Sequence, residues 1–414
     1  MTAASALSTD PGPSRANAFN LLRLLGALAV IVEHSWVLSG HGTPLTPASG
    51  IGLGGIGVGV FFLISGYLIS ASWLADPSPA RYALRRALRI YPAYALVVVL
   101  TALVLGPLVS TLPAAGYLSG PGPWSHIARG LLIQPVSYTL PGVFEGLPYP
   151  GAVNGSLWTI WVEVLCYFGV AVLGLLGLLR RRAVLAGLAL AALAVTTVIH
   201  LTGYAGPLVP LVVSAFAAQP LAFFALGMLV REARWVPPPW LALTLLAVWP
   251  LLWGTPVANL AAIAAVTCAT FLVAFRAPAW LHRPTGSYDL SYGAYLLAFP
   301  AQQVLVQAGL REPASVLLAT TAVVLPLAAL SWRLVEAPAL RLRRHRPAAT
   351  APAEVLPPPV IPPPVIPPAT FPPATFPPAV IPPAVIPPVV IPPAVIPPPE
   401  IPPGAAPEAA PGTP

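Results

Sequence analysis

The feature that most constrains this chain is a series of apolar stretches, each long enough to cross a lipid bilayer as a helix. A spanning helix needs about 20 mostly apolar residues, because its backbone groups must be hydrogen-bonded internally in the hydrocarbon core. Ten stretches meet this requirement: 18–38, 54–74, 90–112, 156–178, 183–202, 210–230, 238–254, 256–275, 287–309 and 314–336. The chain is therefore predicted to be an all-α, polytopic integral membrane protein with about ten transmembrane helices.

The charge content agrees with this class. Only 8% of the 414 residues are charged, against roughly 25% in a typical soluble protein. The formal net charge is +8, and all 20 basic residues are arginines. Basic chains often bind nucleic acid, but these arginines lie in short clusters between apolar stretches. They indicate membrane topology, and no nucleic-acid partner is predicted.

The arginine clusters predict the orientation in the membrane, because cytoplasmic loops carry an excess of basic residues. With a cytoplasmic N-terminus, only Arg129 and Arg311 fall in outside loops. We therefore predict a multi-pass protein of the inner (plasma) membrane with both termini in the cytoplasm. The segment "WPLLWGTPVAN" around Gly254 is the least regular part, and a loop or a re-entrant turn is the alternative there.

The longest outside loop, about residues 113–155, is rich in glycine, proline and aromatic residues. Loops of this length are often functional. Its aromatic side chains suit either sugar stacking or packing at the membrane interface, and the sequence favours neither.

The predicted domain organisation has four parts. Residues 1–17 form a polar cytoplasmic N-terminus, 18–340 the membrane domain, and 341–354 a basic cytoplasmic linker. Residues 355–414 form a tail that begins with ten pentapeptides such as VIPPA. Paired prolines exclude helix and sheet and favour polyproline II, so the tail is predicted to be disordered or extended. It is either a spacer or a docking segment for a cytoplasmic partner.

The first apolar stretch carries two ionisable residues that point to chemistry. Arg23 and His34 are 11 residues apart, which places them on one helix face about 16 Å apart. An ionisable residue inside a membrane helix indicates function by default. An anionic donor held at Arg23 would reach the imidazole of His34. The alternative is a snorkelling arginine and a structural histidine.

Two further clusters are candidates. Arg86 and Arg89 lie three residues apart, so they face the same way on a helix and suit a phosphate group, unless they only mark topology. Glu163 lies inside the fourth stretch and must be paired or protonated there. It would orient His34, help to deprotonate a hydroxyl, or form a structural salt bridge with Arg23 or Arg333. Arg333 and Glu336 are three residues apart, and a simple ion pair with each other is the alternative to a functional role.

Six short motifs, in order across about residues 15–340, resemble those of the membrane acyltransferase-3 family. They are Arg23-x10-His34, "FFLISGYLIS", "RRALRIYPAY", "SLWTIWVEVLCYF", "SYGAYLLAFP" and "SWRLVEAPAL". One position departs from the pattern, because Ala298 stands where that family often carries a histidine. Any acid–base role of that position is in doubt here.

The resemblance implies a ten-helix enzyme that moves an acyl group, most often acetyl, from acyl-CoA to a hydroxyl. The acceptor would be a glycan, a lipid-linked sugar or a macrolide-type metabolite. His34 and Glu163 would be catalytic, and Arg23, Arg86 and Arg89 would bind acyl-CoA, which is a co-substrate rather than a bound cofactor. The candidates to line the acceptor site or channel are Ser65, Tyr67, Trp158, Tyr292 and Tyr295.

Two alternatives are weighed against this function. A proton-coupled transporter of a small polar or anionic solute would also use intramembrane Arg, Glu and His, but the halves of the chain show no internal repeat. A non-catalytic scaffold that presents the proline-rich tail would leave Arg23, His34 and Glu163 unexplained. No metal site is predicted, because Cys166 and Cys268 lie inside apolar stretches without metal-ligand spacing.

Overall fold

The computed structural model describes residues 17–133, 139–202, 217–282 and 288–342. Within these ranges the protein is all-helical, without a β-strand. The polar N-terminus up to residue 16, nearly all of the basic linker and the whole proline-rich tail (355–414) lie outside the described residues. The domain boundaries predicted there stay predictions.

Twelve α-helices of six or more residues follow one another along the described chain, and a four-residue helix, Ala279–His282, lies before the last two. They are α1 (Phe19–Leu38), α2 (Leu53–Ala75), α3 (Pro79–Val109), α4 (Ala114–Ser119), α5 (Pro121–Leu131), α6 (Trp158–Leu175), α7 (Arg182–Thr202), α8 (Ala218–Ala233), α9 (Pro239–Leu251), α10 (Ala258–Arg276), α11 (Ser291–Gln307) and α12 (Pro313–Arg341). Two of them contain a π-helical turn, α3 at Thr101–Leu105 and α12 at Trp332–Glu336.

Each of the ten predicted stretches corresponds to one of these helices. Seven are long and apolar enough to cross a membrane, namely α1, α2, α3, α6, α7, α10 and α12. The other three, α8, α9 and α11, are shorter within the described residues. The polytopic membrane class is therefore supported, and the count of ten spans stays a prediction.

The third helix extends beyond the apolar stretch that predicts it, which begins at residue 90. The helix α3 begins at Pro79, which occupies its first turn, where a proline is well tolerated. The apolar count finds only the part of a helix that lies in hydrocarbon, and the arginine-rich turns before it continue the same helix. We call the end of the bundle at which α2 ends and α3 begins the arginine end.

The predicted outside loop also contains structure that the sequence did not show. The helix α5 runs back along α3, because Tyr94 donates its hydroxyl hydrogen bond to the carbonyl of Gly130 at 2.9 Å and Val98 packs against the same glycine. Pro141 and Gly142, which follow α5 in the chain, lie at the far end of α3, where Ser110 donates to the carbonyl of Pro141 and the backbone nitrogen of Thr111 donates to that of Gly142. Part of this segment is thus packed against a spanning helix rather than exposed to water.

The helix α2 lies at the centre of the bundle and packs against α1, α6, α8 and α10. Two glycines permit its closest approaches. A Cβ on Gly57 would lie 2.3 Å from the carbonyl oxygen of Gly26, and one on Gly66 would lie 2.1 Å from that of Phe224. The glycine-rich sequence before and within α2 therefore serves close helix packing, as expected for membrane helices.

Candidate active site

A cavity of about 250 Å³ lies within the bundle between α1, α2, α3, α6 and α11. Seven of the ten sequence-predicted site residues line it: Arg23, Ser65, Arg86, Arg89, Glu163, Tyr292 and Tyr295. Residues separated by up to 272 positions in the chain thus meet at one place. The lining carries three guanidinium groups and one carboxylate, which is a composition suited to an anionic ligand.

Two of the three arginines are held by one acid that the sequence analysis did not single out. Asp289, just before α11, forms an ion pair with Arg89 and lies 3.6 Å from Arg23. Arg89 also lies 3.7 Å from Glu336 and stands over the ring of Tyr292. The side chain of Asp289 is only 8% exposed, so it links α1, α3 and α11 in a protected setting.

Arg86 differs from its neighbours, because it has no carboxylate partner among the described residues. Its guanidinium lies 5.9 Å from the ring centre of Tyr82 and 5.8 Å from that of Tyr167. Its Nε is buried without a hydrogen-bond partner in the described chain. Cation–π contacts position the group without neutralising it. Arg86 therefore presents a positive charge to the cavity.

The arginines one turn earlier have a structural role instead. Arg81 and Arg85 both bind the carboxylate of Asp76 in the turn between α2 and α3. The hydrogen bonds from Arg81 and Arg85 hold the pKa of the Asp76 carboxyl well below its usual range. The arginine cluster thus has two parts. Arg81 and Arg85 bind Asp76 at the turn, whereas Arg86 and Arg89 face the cavity.

Glu163 lies in this cavity and is bound by two hydroxyls. Tyr167 donates a 2.5 Å hydrogen bond to its Oε1, and Ser65 donates a longer one of 3.4 Å. The described residues contain no salt bridge between Glu163 and either Arg23 or Arg333, so the structural alternative weighed for Glu163 has no support there. The structure also shows no hydrogen bond from Glu163 to His34 within the described chain.

His34 does not line the cavity. Its ring packs edge-on against Phe299 with 5.1 Å between ring centres. Its Nδ1 is buried and has no hydrogen-bond partner among the described residues. A structural histidine normally satisfies its buried nitrogens. An imidazole left in this way is suited to hold or exchange a proton with a molecule that enters the site.

Two of the candidate residues for the acceptor site or channel, Tyr67 and Trp158, do not line this cavity, and their predicted role stays a prediction. Tyr67 is buried in an aromatic cluster with Phe19, Phe271 and Phe275. Trp158 packs against the hydrophobic core at the start of α6. Both belong to recognisable motifs, but the motif does not tell which side of its helix faces the cavity.

Three acids were missed or misassigned from the sequence. Glu336 pairs with Arg89 and accepts from Ser331, while the side chain of Arg333 is exposed, so the alternative of an Arg333–Glu336 pair has no support in the described residues. Glu33 accepts a 3.0 Å hydrogen bond from the backbone nitrogen of Gly54 in the first turn of α2. This placement explains a carboxylate beside His34 without a catalytic role. For Asp289, the only signal is an acid at the start of an apolar helix.

Comparisons of the sequence with known proteins found one family model and two relatives that cover most of the chain. A family model described as an acyltransferase domain matches residues 17–333. The chain is 29% identical over 367 residues to nodulation protein 10 of Rhizobium leguminosarum bv. viciae, covering 81% of this chain and 96% of that protein. It is also 29% identical over 332 residues to an O-acetyl transferase of Shigella phage Sf6, covering 78% and 95%. No solved structure matches the chain.

Proposed function

Because the chain belongs to the acyltransferase-3 family of membrane enzymes, we propose that it transfers an acetyl group from acetyl-CoA to a hydroxyl of an acceptor. The enzyme class follows from the family. The acetyl group and the oxygen acceptor are supported by the name of the phage relative, an O-acetyl transferase. The family assignment leaves the transporter alternative without support.

The observation that carries the proposal is the uncompensated charge of Arg86 in a cavity that also contains Arg23 and Arg89. Coenzyme A carries phosphate groups, which arginine binds through charge-assisted and often bidentate hydrogen bonds. The cavity volume of about 250 Å³ is below the roughly 300–1,000 Å³ of sites that enclose a drug-sized ligand. It would therefore enclose one part of acyl-CoA, with the rest of the molecule outside.

In this proposal the arginine end of the bundle faces the cytoplasm, where acyl-CoA is made. The distribution of arginines supports this orientation, because the clusters at the starts of α3 and α7 fall on the same side. The protein would lie in the inner (plasma) membrane with both termini inside. The acceptor, a glycan, lipid-linked sugar or macrolide-type metabolite, would then approach from the opposite end.

His34 is the proposed general base. Its ring would take the proton of the acceptor hydroxyl while that oxygen attacks the thioester carbonyl carbon. The carbon–sulfur bond then breaks, an ester forms, and the thiolate of coenzyme A takes up a proton to leave as the thiol. Histidine is the side chain that most often takes and returns a proton as a general base in enzymes. The thioester is already activated, so the step needs no bound cofactor.

Glu163 acts at the donor end in this proposal rather than at His34. We call the cavity lined by Arg23, Arg86 and Arg89 the arginine cavity. The carboxylate of Glu163 is fixed in its wall by Tyr167 and Ser65. In this wall, Glu163 partly balances the guanidinium charges and orders two hydroxyls that face the donor.

The proposed function is tested by comparing cells with and without the gene. Mass spectrometry of surface glycans, lipids and secreted metabolites should show one class that is heavier by one acetyl group when the gene is present. Membranes from the same cells should transfer label from acetyl-CoA to that class. Absence of both the mass difference and the label would contradict the proposal.

A further inference from the structure

The cavity and His34 are separate regions of the protein, although in the proposed function the thioester of a donor bound at the arginines must come within reach of the acceptor hydroxyl at His34. Arg23 lines the cavity, whereas His34, 11 residues further along α1, does not. At 1.5 Å per residue the two positions are about 16 Å apart along the helix axis. Whatever lies between them decides which acyl groups reach His34.

Phe61 lies at an intermediate level on this path. The edge of its ring is 3.6 Å from the position that a Cβ would take on Gly26. Gly26 follows Arg23 by three residues and precedes His34 by eight, which corresponds to about 4.5 Å and 12 Å along α1. The ring also lines the arginine cavity. Together with Val58, one turn earlier on α2, it therefore lies in the part of the cavity wall that is nearer to His34.

Tyr295 closes the same part of the cavity wall from α11. Its ring meets that of Phe61 edge-on, with 5.6 Å between ring centres. Its hydroxyl is 2.8 Å from Oγ1 of Thr159 and donates to the carbonyl of Ser156 at 3.1 Å. Two contacts to α6 and the turn before it thus fix the Tyr295 ring in place.

The direction of α11 shows that Phe61 and Tyr295 lie on the side of His34 that faces the arginine end of the bundle. Ala27 packs with Ala294 in one cluster, and further along both helices Gln302 donates to the carbonyl of Ile31. The helices α1 and α11 therefore run side by side in the same direction. One turn beyond Tyr295, toward His34, lies Phe299, whose ring contacts the imidazole.

We infer that Phe61 and Tyr295 form an aromatic constriction between the arginine cavity and His34 that restricts transfer to short acyl groups. The inference rests on the proposed function and adds the donor specificity of the same site. The thin arm of coenzyme A would pass beside the two rings, and each extra methylene of the acyl group would have to displace them. Tyr295 is fixed by its hydroxyl, so Phe61, which has no polar anchor, sets the width.

The test is a competition between acyl-CoA donors in membranes that contain the full-length protein. Acetyl-, propionyl- and butyryl-CoA are supplied together, and the ester products are counted by mass, so that the amount of enzyme cancels from each ratio. One methylene changes selectivity in an apolar site by about 10- to 200-fold. We expect the wild-type protein to lose at least about 10-fold in product for each added methylene.

Variants at Phe61 should change this ratio in opposite directions. Phe61→Ala and the milder Phe61→Leu should raise the butyryl-to-acetyl ratio, the former by about 10-fold or more, and Phe61→Trp should lower the propionyl-to-acetyl ratio. The matched control is Phe168→Ala on α6, a phenylalanine that is 69% exposed on the outside of the bundle, and it should leave both ratios unchanged. A loss of packing alone would lower all products together and would not move a ratio.

The outcomes separate the two proposals. Transfer by the wild-type protein with ratios that no Phe61 variant changes would overturn the constriction and leave the proposed function standing. Absence of transfer from every acyl-CoA by the wild-type protein would overturn the proposed function, and the inference with it.

Discussion

Tyr167 donates a 2.5 Å hydrogen bond to Oε1 of Glu163, which lies one turn earlier on the same helix. The only other side chain that donates to this carboxylate within the described residues is Ser65, at 3.4 Å. The membrane carboxylate is therefore satisfied locally, within the arginine cavity, and its position depends mainly on one phenol. The guanidinium of Arg86 also stands over the ring of Tyr167. Tyr167 therefore contacts both Glu163 and the arginine that has no carboxylate partner among the described residues.

We predict that Tyr167→Phe lowers the transfer rate by about 10-fold. A hydrogen bond to a charged group contributes about 1.5–3 kcal/mol, and its loss leaves Glu163 with Ser65 alone. The control is Tyr91→Phe on α3, whose hydroxyl binds the carbonyl of Leu131 outside the cavity lining. Initial rates in membranes with matched protein amounts measure the effect. Equal rates for the two variants would show that the Tyr167–Glu163 bond has no part in transfer.

The second prediction concerns Arg86. Arg86→Ala should raise the Michaelis constant for acetyl-CoA by about 10-fold or more, since a charge-assisted hydrogen bond to phosphate contributes about 1.5–3 kcal/mol. Arg86→Lys should recover only part of the loss, because an ammonium group lacks the planar fork. The matched control is Arg81→Ala, which removes an arginine bound to Asp76 and should leave the constant unchanged. Equal constants for both alanine variants would reduce Arg86 to a topology marker.

Arg89 should behave differently from Arg86, although the two are equivalent in the sequence. Arg89→Ala leaves the buried Asp289 and Glu336 without their shared partner. Removal of one member of a buried ion pair costs about 3–5 kcal/mol. We therefore expect a lower melting temperature in detergent for Arg89→Ala and a partial recovery for the double variant Arg89→Ala/Asp289→Ala. Additive effects of the two substitutions would show that the pair is not coupled.

The proline-rich tail gives a further prediction. Deletion of residues 355–414 should leave membrane insertion and transfer activity largely unchanged, because the paired prolines offer no group for chemistry and no periodicity for packing. Membrane fractions that contain matched amounts of full-length or truncated protein are compared for transfer of the acetyl group from labelled acetyl-CoA. A truncated protein that inserts normally but has lost its activity would make the tail a functional part.

The sequence predicted the helices well because apolar length directly reflects the thickness of the hydrocarbon core. The same measure could not find the first turns of α3, which are arginine-rich, or α5, whose 11 residues are too few to span. Glu33, His34 and Arg23 all stand out as ionisable groups in α1, yet the sequence could not separate their roles. Only the neighbouring helix shows that Glu33 binds the start of α2.

For the site, the sequence showed which residues are charged but not which groups they pair with. Motifs brought out the arginines and Glu163, because charges in apolar helices are conspicuous. The partners of those charges were not visible, since Asp289 meets Arg89 across 200 positions of the chain. Short-range rules favoured a pair between Arg333 and Glu336, but the fold turns Glu336 toward Arg89. Packing between helices decides which charged side chains have an oppositely charged partner. That packing cannot be read from a single sequence.

The last prediction concerns His34. His34→Ala should abolish acyl transfer without preventing insertion, because removal of a polar group from an apolar helix does not hinder its entry into the membrane. Loss of a general base typically lowers the rate by about 10²–10⁴. The ring has no hydrogen-bond partner among the described residues, so its removal also breaks no visible structural bond.

His34→Gln distinguishes the catalytic histidine from a structural one. Glutamine can donate and accept hydrogen bonds, but its amide cannot take up a proton at neutral pH. We therefore expect it to fail as completely as alanine, whereas a structural role would be rescued at least in part. The measurement is transfer from labelled acetyl-CoA in membranes with matched amounts of each variant, with Ser35→Ala as the control on the next residue of α1. If His34→Gln turns over at a near-normal rate, His34 is not the base, and Glu163 becomes the first candidate to replace it.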